Sequence, residues 1–211
     1  MRPVTRRQAD HHAARSAATQ EQLMSALERL LASGEAFSEI SVQQILEEAA
    51  VSRATFYAHF QSKSDVLVRL TDDLRESLLT LARRWDPAAG EDGPEQLTRF
   101  FEDVIRIHRA HQGVITAVRE AASYDSAVGD FYTANLESFE EAALRTMRSE
   151  QAAGSTAADV DAVAASRIIA WGGAQAIAHH IRVDGGGGDS AFARELALIW
   201  WYGAYRRPAG A

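Results

Sequence analysis

Apolar residues in this chain recur at three- and four-residue spacing almost from end to end, and no segment alternates four times between hairpin turns. A period near 3.6 lines one face of a helix and a period of 2 one face of a strand, so the pattern restricts the fold to the all-α class. About nine helices are expected. Leu23, Leu27, Leu30 and Leu31 share a face behind Thr19 and Gln22, a capping-box spacing, and Gly34 closes that helix. Ser41 with Gln44 opens a short second helix carrying Val42, Ile45 and Leu46. Ser52 caps a third, and Ser62 with Asp65 starts a long fourth with the stripe Leu67, Leu70, Leu74, Leu78 and Leu81. These closely spaced starts describe a small bundle, and the fourth helix is long enough to leave it and enter a second domain.

The stretch Asp86 to Gly93 breaks the pattern as a Pro/Gly/Asp-rich loop, and Pro94 restarts a helix carrying Leu97, Phe100, Phe101, Val104 and His108. A sixth helix is expected near Val114 to Glu120 and a seventh through Phe131, Asn135, Phe139 and Met147. An eighth, after Gly154-Ser155-Thr156, carries Ile168, Ile169, Trp171, Ile177 and Ile181. A ninth, from about Ser190 to Tyr205, comes after the run Gly185 to Gly188. The implied organisation is a basic, flexible arm over 1–18, a helix-turn-helix domain over 19–66 and a helical body over 67–207.

The 211 residues, 46% of them hydrophobic, suffice for a real core. There is no cysteine, which excludes disulfide scaffolds, thiolate zinc sites and cysteine nucleophiles. No apolar segment backs the basic N-terminus, and the longest apolar run, Leu196 to Tyr205, is too short to span a bilayer, so the cytoplasm is expected and a membrane is not. A net charge of −7 excludes coating nucleic acid through bulk positive charge. Any DNA contact must be local. The first twenty residues carry Arg2, Arg6, Arg7 and Arg15 against Asp10 alone, an arm of the kind that enters a minor groove or stays a solvated tail.

Residues 41–67 carry the most chemistry. Two short capped helices separated by Ala49-Ala50-Val51 have helix-turn-helix lengths, with the second as the candidate for a major groove. On it Phe56 and Phe60, four apart, turn inward towards Val51 and Ile45. Arg53, Ala54 and Tyr57 then face outward, flanked by Thr55 and His59. Arginine pairs bidentately with guanine, a threonine methyl meets a thymine methyl, and tyrosine or histidine reaches a phosphate or base edge.

Here the chain resembles the TetR family, whose signature runs through a turn of A-G-V-S type and a T-[LF]-Y-x-H-F-x-[SN]-K run. This sequence has A-A-V-S at 49–52 and T-F-Y-A-H-F-Q-S-K at 55–63. The resemblance implies that Ser41 binds a phosphate, that Arg53, Ala54 and Thr55 face bases, and that Tyr57 and His59 contact backbone or base. It also places Lys63, the only lysine in the chain, at a phosphate near the start of the fourth helix. Ala50 stands where the family has glycine, so the turn needs either negative φ or strain. The likeness spans residues 19–81 and becomes diffuse beyond. The aromatic, Trp-containing last helix resembles the branch of the mycobacterial ethionamide-resistance regulator.

The body is expected to bind ligand and to dimerise. Phe100, Val104, Phe131, Tyr132, Asn135, Phe139, Trp171 and Gln175 are candidates to line a pocket for a small apolar or amphipathic effector, against the plainer reading that they are core. The ninth helix is apolar on nearly every side and the eighth is rich in small residues, so Ala170, Ala174, Ile199, Trp200 and Trp201 are expected at a homodimer interface. The histidines at 11–12, 108, 111 and 179–180 lack ligand spacing, and no metal or cofactor is expected. There is no G-x-S-x-G, zinc signature or phosphate loop, so the chain is not read as an enzyme. The expected function is a transcriptional repressor on a palindromic double-stranded operator, released by its effector. The alternatives are a helical enzyme or a non-DNA-binding adaptor built around the aromatic pocket.

Overall fold

The computed structural model describes residues 4–85, 87 and 92–208, and for 4–12 the helical backbone alone. Among these residues there are nine helices and no strand. They are α1 (Val4–Ala32), α2 (Val42–Ala49), α3 (Arg53–Tyr57), α4 (Lys63–Ala82), α5 (Gly93–Ala110), α6 (Gln112–Ala121), α7 (Ser126–Ala152), α8 over 162–183 and α9 over 189–205. Helix α8 runs from Ala162–Arg167 through a π-helical turn, Ile168–Gly172, into Gly173–Val183. Helix α9 is Asp189–Trp200 continued by a second π-helical turn, Trp201–Tyr205. Most of the loop expected over 86–93 lies outside the described residues, as do Arg2 and the side chains of Arg6, Arg7, His11 and His12.

Three expected caps are present. Ser41 and Gln44 form a reciprocal capping box, Ser52 Oγ accepts from the Thr55 N–H at 3.1 Å, and Ser62 Oγ accepts from the Asp65 N–H at 3.2 Å while Asp65 accepts from Ser62. The fourth differs. Helix α1 starts at Val4 instead of Thr19, because the Ala-rich stretch before Thr19 is itself helix-forming and the Thr19 hydroxyl donates back to the Arg15 carbonyl at 3.0 Å.

The chain divides into two compact units. The first comprises residues 1–73 with 113–131, that is α1 to α3, the first half of α4, α6 and the start of α7. Its core holds Leu23, Leu27, Phe37, Ile45, Phe56 and Leu67, all essentially inaccessible to solvent. Each such side chain contributes roughly 1.5–3 kcal/mol by burial. The second unit, 74–112 with 132–211, is built on α5, which packs along α9 and along α8. One close approach there is set by glycine: a Cβ on Gly173 would lie 2.5 Å from the Trp200 ring, so the absent side chain admits the indole. No described helix is long and apolar enough to cross a membrane.

Candidate nucleic-acid interface

Helix α3 has five residues and cannot hold itself together. Its helicity comes from the Ser52 cap and from Phe56, which is fully buried with Tyr57 edge-on at 5.2 Å and Phe60 at 6.1 Å. With Phe56 fixed inward, the helical repeat sends Arg53, Ala54 and Tyr57 outward. All three are exposed, Tyr57 by 52% although it is a large aromatic. Thr55 and His59 are half-buried at the margins. Thr55 Oγ1 lies 2.8 Å from Ser52 Oγ, and His59 Nδ1 lies 3.4 Å from Ser16 Oγ on α1.

The turn before α3 resolves the question raised by Ala50. This residue has φ 54° and ψ 40°, the left-handed conformation that glycine adopts without cost, and it is the only described non-glycine residue with positive φ. Its N–H goes to the Glu47 carbonyl at 3.2 Å and the Val51 N–H to the Leu46 carbonyl at 3.1 Å, closing α2. Gln43, not singled out from the sequence, accepts from the Arg53 guanidinium at 3.3 Å and donates to Glu47. It is an exposed polar residue that steadies the outward arginine.

Two expected phosphate contacts are engaged elsewhere. The Ser41 hydroxyl accepts from the Gln44 N–H and lies 2.9 Å from Gln44 Oε1, so it works as a cap. Lys63 turns away from solvent. Its ammonium donates to the carbonyls of Phe37 at 2.6 Å, Ser38 at 3.3 Å and Ile40 at 2.6 Å, and it sits 4.6 Å from the Phe37 ring centroid. Burial holds its pKa below the ordinary lysine range, with the charge of Glu120 opposing the shift. Three donors meeting three carbonyls leave none for a phosphate in this conformation.

Two carboxylates from beyond residue 110 join the same unit. Glu120 on α6 accepts from the Ser38 N–H at 3.1 Å, and Asp125 accepts from the Ser64 hydroxyl at 2.6 Å. Hydrogen bonding from Ser38 and Phe37 lowers the Glu120 pKa, and that from Ser64 lowers the Asp125 pKa. Their partners are 82 and 61 residues away in sequence, and no local pattern announces them.

In the second unit the expected pocket residues are distributed unevenly. Val104 is buried, and Phe100, Tyr132, Asn135, Phe139 and Trp171 are half-buried. Gln175 is exposed on the outer side of α8, and Phe131 belongs to the first unit. Trp171 Nε1 donates to Glu140 at 2.9 Å, and Phe100 packs between Trp85 and Phe101. Asn135 Oδ1 and Trp85 Nε1 are buried with no hydrogen-bond partner among the described residues. A groove of about 480 Å³ is lined by Glu76, Ser77, Thr80, Leu81, Arg84, Asp103, Arg106 and Ile107, none of them among the expected pocket residues.

The residues expected at a dimer interface differ in exposure. Trp201 is buried, its ring filling the space a Cβ on Gly93 would need, with the Arg206 guanidinium 4.6 Å above it. Trp200 turns inward onto Gly173 and meets Phe101 edge-on at 4.7 Å. Ala170 and Ala174 are half-buried. The outward apolar residues are Ile168, 69% exposed, with Ile199 and Tyr202. Two glycines, invisible to a reading of side-chain size, admit the indoles into the subunit.

His180, Asp184 and Asp189 present ligand atoms within 4.8 Å of one another. Arg109 occupies that cluster: its guanidinium donates to both Asp189 oxygens, at 2.9 and 2.5 Å, and to the Asp184 carbonyl. His180 Nε2 lies 2.9 Å from Asp189, and its ring stacks on Phe192 at 4.1 Å. The arrangement ties α5, α8 and the start of α9 together.

Residues 23–70 match the family described as bacterial regulatory proteins, tetR family. No curated protein sequence matches the chain. Among solved structures it resembles a TetR transcription regulator from Haloarcula marismortui, with 20% identity, TM-score 0.69, and coverage of 89% of this chain and 98% of that one. SmeT of Stenotrophomonas maltophilia in complex with triclosan gives 16%, 0.72, 92% and 96%. NalD of Pseudomonas aeruginosa gives 18%, 0.71, 92% and 100%. At such identities the likeness establishes the fold. Residues 23–70 therefore match the N-terminal domain of the tetR family, and the chain as a whole has the fold of TetR-type regulators.

Proposed function

We propose that this chain is a sequence-specific DNA-binding transcription regulator, a cytoplasmic homodimeric repressor released from a palindromic operator by a small apolar or amphipathic ligand. The observation that carries the reading is the division of labour on α3. Phe56, with the Ser52 cap, anchors the helix, and Arg53, Ala54 and Tyr57 are left exposed to solvent, Tyr57 with one edge of its ring on Phe56. Arg53 suits guanine, Ala54 and Thr55 suit a thymine methyl, and Tyr57 and His59 suit the backbone beside them. The start of α2, capped by Ser41, faces the same duplex.

Dimerisation through Ile168, Gly172, Ile199 and Tyr202 would cover the outward apolar face of α8 and α9 and set two reading helices about 34 Å apart, or a near multiple. Release by a ligand is supported by Asn135 Oδ1 and Trp85 Nε1, which have no partner among the described residues, since a buried polar atom costs about 1–3 kcal/mol until something pairs with it. SmeT and NalD are named as repressors of multidrug efflux pumps, and one of the SmeT structures is a complex with triclosan. Kinship with the ethionamide-regulator branch rests on the Trp-containing last helix alone.

The test is selection of duplexes from a randomised pool by the full chain, followed by titration. A two-fold symmetric consensus is expected, with Arg53→Ala costing about 1–3 kcal/mol and relaxing preference at one base pair per half-site. Recovery of no consensus refutes the reading.

A further inference from the structure

The segment between α1 and α2 is gripped from two sides by opposite charges. The carbonyls of Phe37, Ser38 and Ile40 converge on Lys63 at the start of α4, and the N–H of Ser38, together with that of Phe37, points to Glu120 near the end of α6. A third tie comes from Gln44 of the α2 capping box, whose amide donates to Glu35 in the same segment at 2.9 Å. Ile40 directly precedes Ser41, the cap of α2, and α2 supports α3. Peptide dipoles of one short segment are thus held with their oxygen ends on a cation and their hydrogen ends on an anion. This arrangement stabilises one backbone conformation against all others. Phe37, fully buried beneath the ammonium, closes the segment from below.

We infer that Lys63 is a positioning residue and not a phosphate ligand: with Glu120 it clamps residues 37–40, and that clamp sets where α2, and through it the reading helix α3, begins. The inference rests on the DNA-reading proposal for its consequence in binding, while the clamp itself can be observed without DNA. A phosphate ligand and a clamp differ in salt dependence. Loss of a lysine at a phosphate lowers the slope of log affinity against log salt by about 0.9 for each contact, whereas loss of a clamp weakens binding without releasing a different number of counterions. Glu120 separates the two further. Removing a carboxylate from a DNA-binding unit strengthens binding, or leaves it unaltered, if only the field of the protein matters. If the clamp matters, it weakens binding.

The experiment uses the full chain as wild type, Lys63→Met, Glu120→Gln and the double variant, each checked for folding by circular dichroism. Operator titrations over a series of salt concentrations are paired with hydrogen exchange of the segment 33–41. The clamp predicts that both single variants bind on the order of ten-fold more weakly, as loss of charged hydrogen bonds implies. It predicts also that the double variant is no worse than the weaker single, that the salt slope is unchanged by Lys63→Met, and that the Phe37 and Ser38 amides exchange faster in all three. A slope lowered by about one per lysine, or a Glu120→Gln protein that binds as tightly as wild type or tighter, overturns it. If the wild type selects no DNA, the regulator reading fails, and the exchange data still decide the clamp: unaltered protection of Phe37 and Ser38 in Glu120→Gln refutes it.

Discussion

Adding one methyl group at Gly173 tests the packing of the second unit directly. Gly172 and Gly173 have nearly identical helical backbones, φ −64° and ψ −43° against φ −62° and ψ −46°, so alanine fits either as far as conformation goes and gains about 1 kcal/mol of helix propensity. What the new Cβ meets differs. At Gly172 the nearest atom is Ile168 Cγ2 at 3.9 Å, an ordinary contact. At Gly173 it would stand 2.5 and 2.7 Å from two atoms of the Trp200 ring, whereas carbon atoms rest at about 3.5–4.0 Å, so the indole must retreat by about 1 Å. It cannot do so freely, because its other edge packs on Phe101 with ring centroids 4.7 Å apart. Overpacking of about 1–3 kcal/mol and loss of an aromatic pair of about 0.5–1.5 kcal/mol, less the propensity gain, leave Gly173→Ala destabilised by roughly 1–3 kcal/mol. In a chain of this size each kcal/mol lowers Tm by about 2–4 °C. Gly172→Ala should instead raise Tm, and Trp200→Leu should restore part of the loss in the Gly173→Ala background, since it removes the atoms in conflict. Calorimetry at one protein concentration, with sedimentation alongside because Gly172 lies on the proposed dimer face, decides the matter. A Gly173→Ala protein that melts with or above Gly172→Ala refutes the argument.

Replacing Ala50 with glycine should relieve about 1–2 kcal/mol of left-handed strain and return about 0.4–1 kcal/mol to the unfolded chain. A net gain of roughly half to one kcal/mol should appear in the urea midpoint, and a loss would show that the strain is absent. Ile199→Asp should turn the proposed dimer into a monomer in analytical ultracentrifugation while Trp201→Leu, at a buried position, lowers Tm and keeps the dimer; the reverse pattern refutes the assignment of faces. Asp189 is held below the usual carboxylate range by hydrogen bonds from Arg109, which outweigh its desolvation, with help from His180. Its contribution to stability is therefore present above the unfolded carboxylate pKa, about 4, and is lost as pH falls through that value towards the lower folded one. Denaturant midpoints measured downward from neutral pH should fall less steeply in Asp189→Asn, and an equally steep acid limb would contradict the assignment.

Much of the first unit was legible because its signals are local. Ser41 with Gln44, Ser52 with Thr55 and Ser62 with Asp65 lie three residues apart, within reach of a side chain and its own helix start. Thr19 carried the same signal and proved to be mid-helix, since a capping residue inside a run of good helix formers has a nearer acceptor one turn back. The outward set on α3 came from Phe56 and the helical repeat alone. Lys63 is pulled two ways: its place near a helix start suits a phosphate, and three carbonyls from a segment more than twenty residues earlier compete for it. The packing of Trp200 and Trp201 was not legible for another reason, since their destinations are defined by side chains that are missing, at Gly173 and Gly93. Glu120 and Asp125 were silent, because a contact made by tertiary folding leaves no periodicity behind.

Helix α3 is one turn and a half of backbone secured by a single buried ring, and that has a bearing on how such a protein can diverge. The residues that would choose a base sequence are not the residues that hold the fold: Arg53, Ala54 and Tyr57 are exposed, while Phe56 is fully buried. Substitutions on the outer face therefore fall in the class that shifts stability by no more than about half a kcal/mol. A lineage carrying this domain is free to try new operators one side chain at a time, without passing through an unfolded ancestor. The same separation makes α3 a natural place to graft a different recognition sequence, provided Ser52 and Phe56 are left in place.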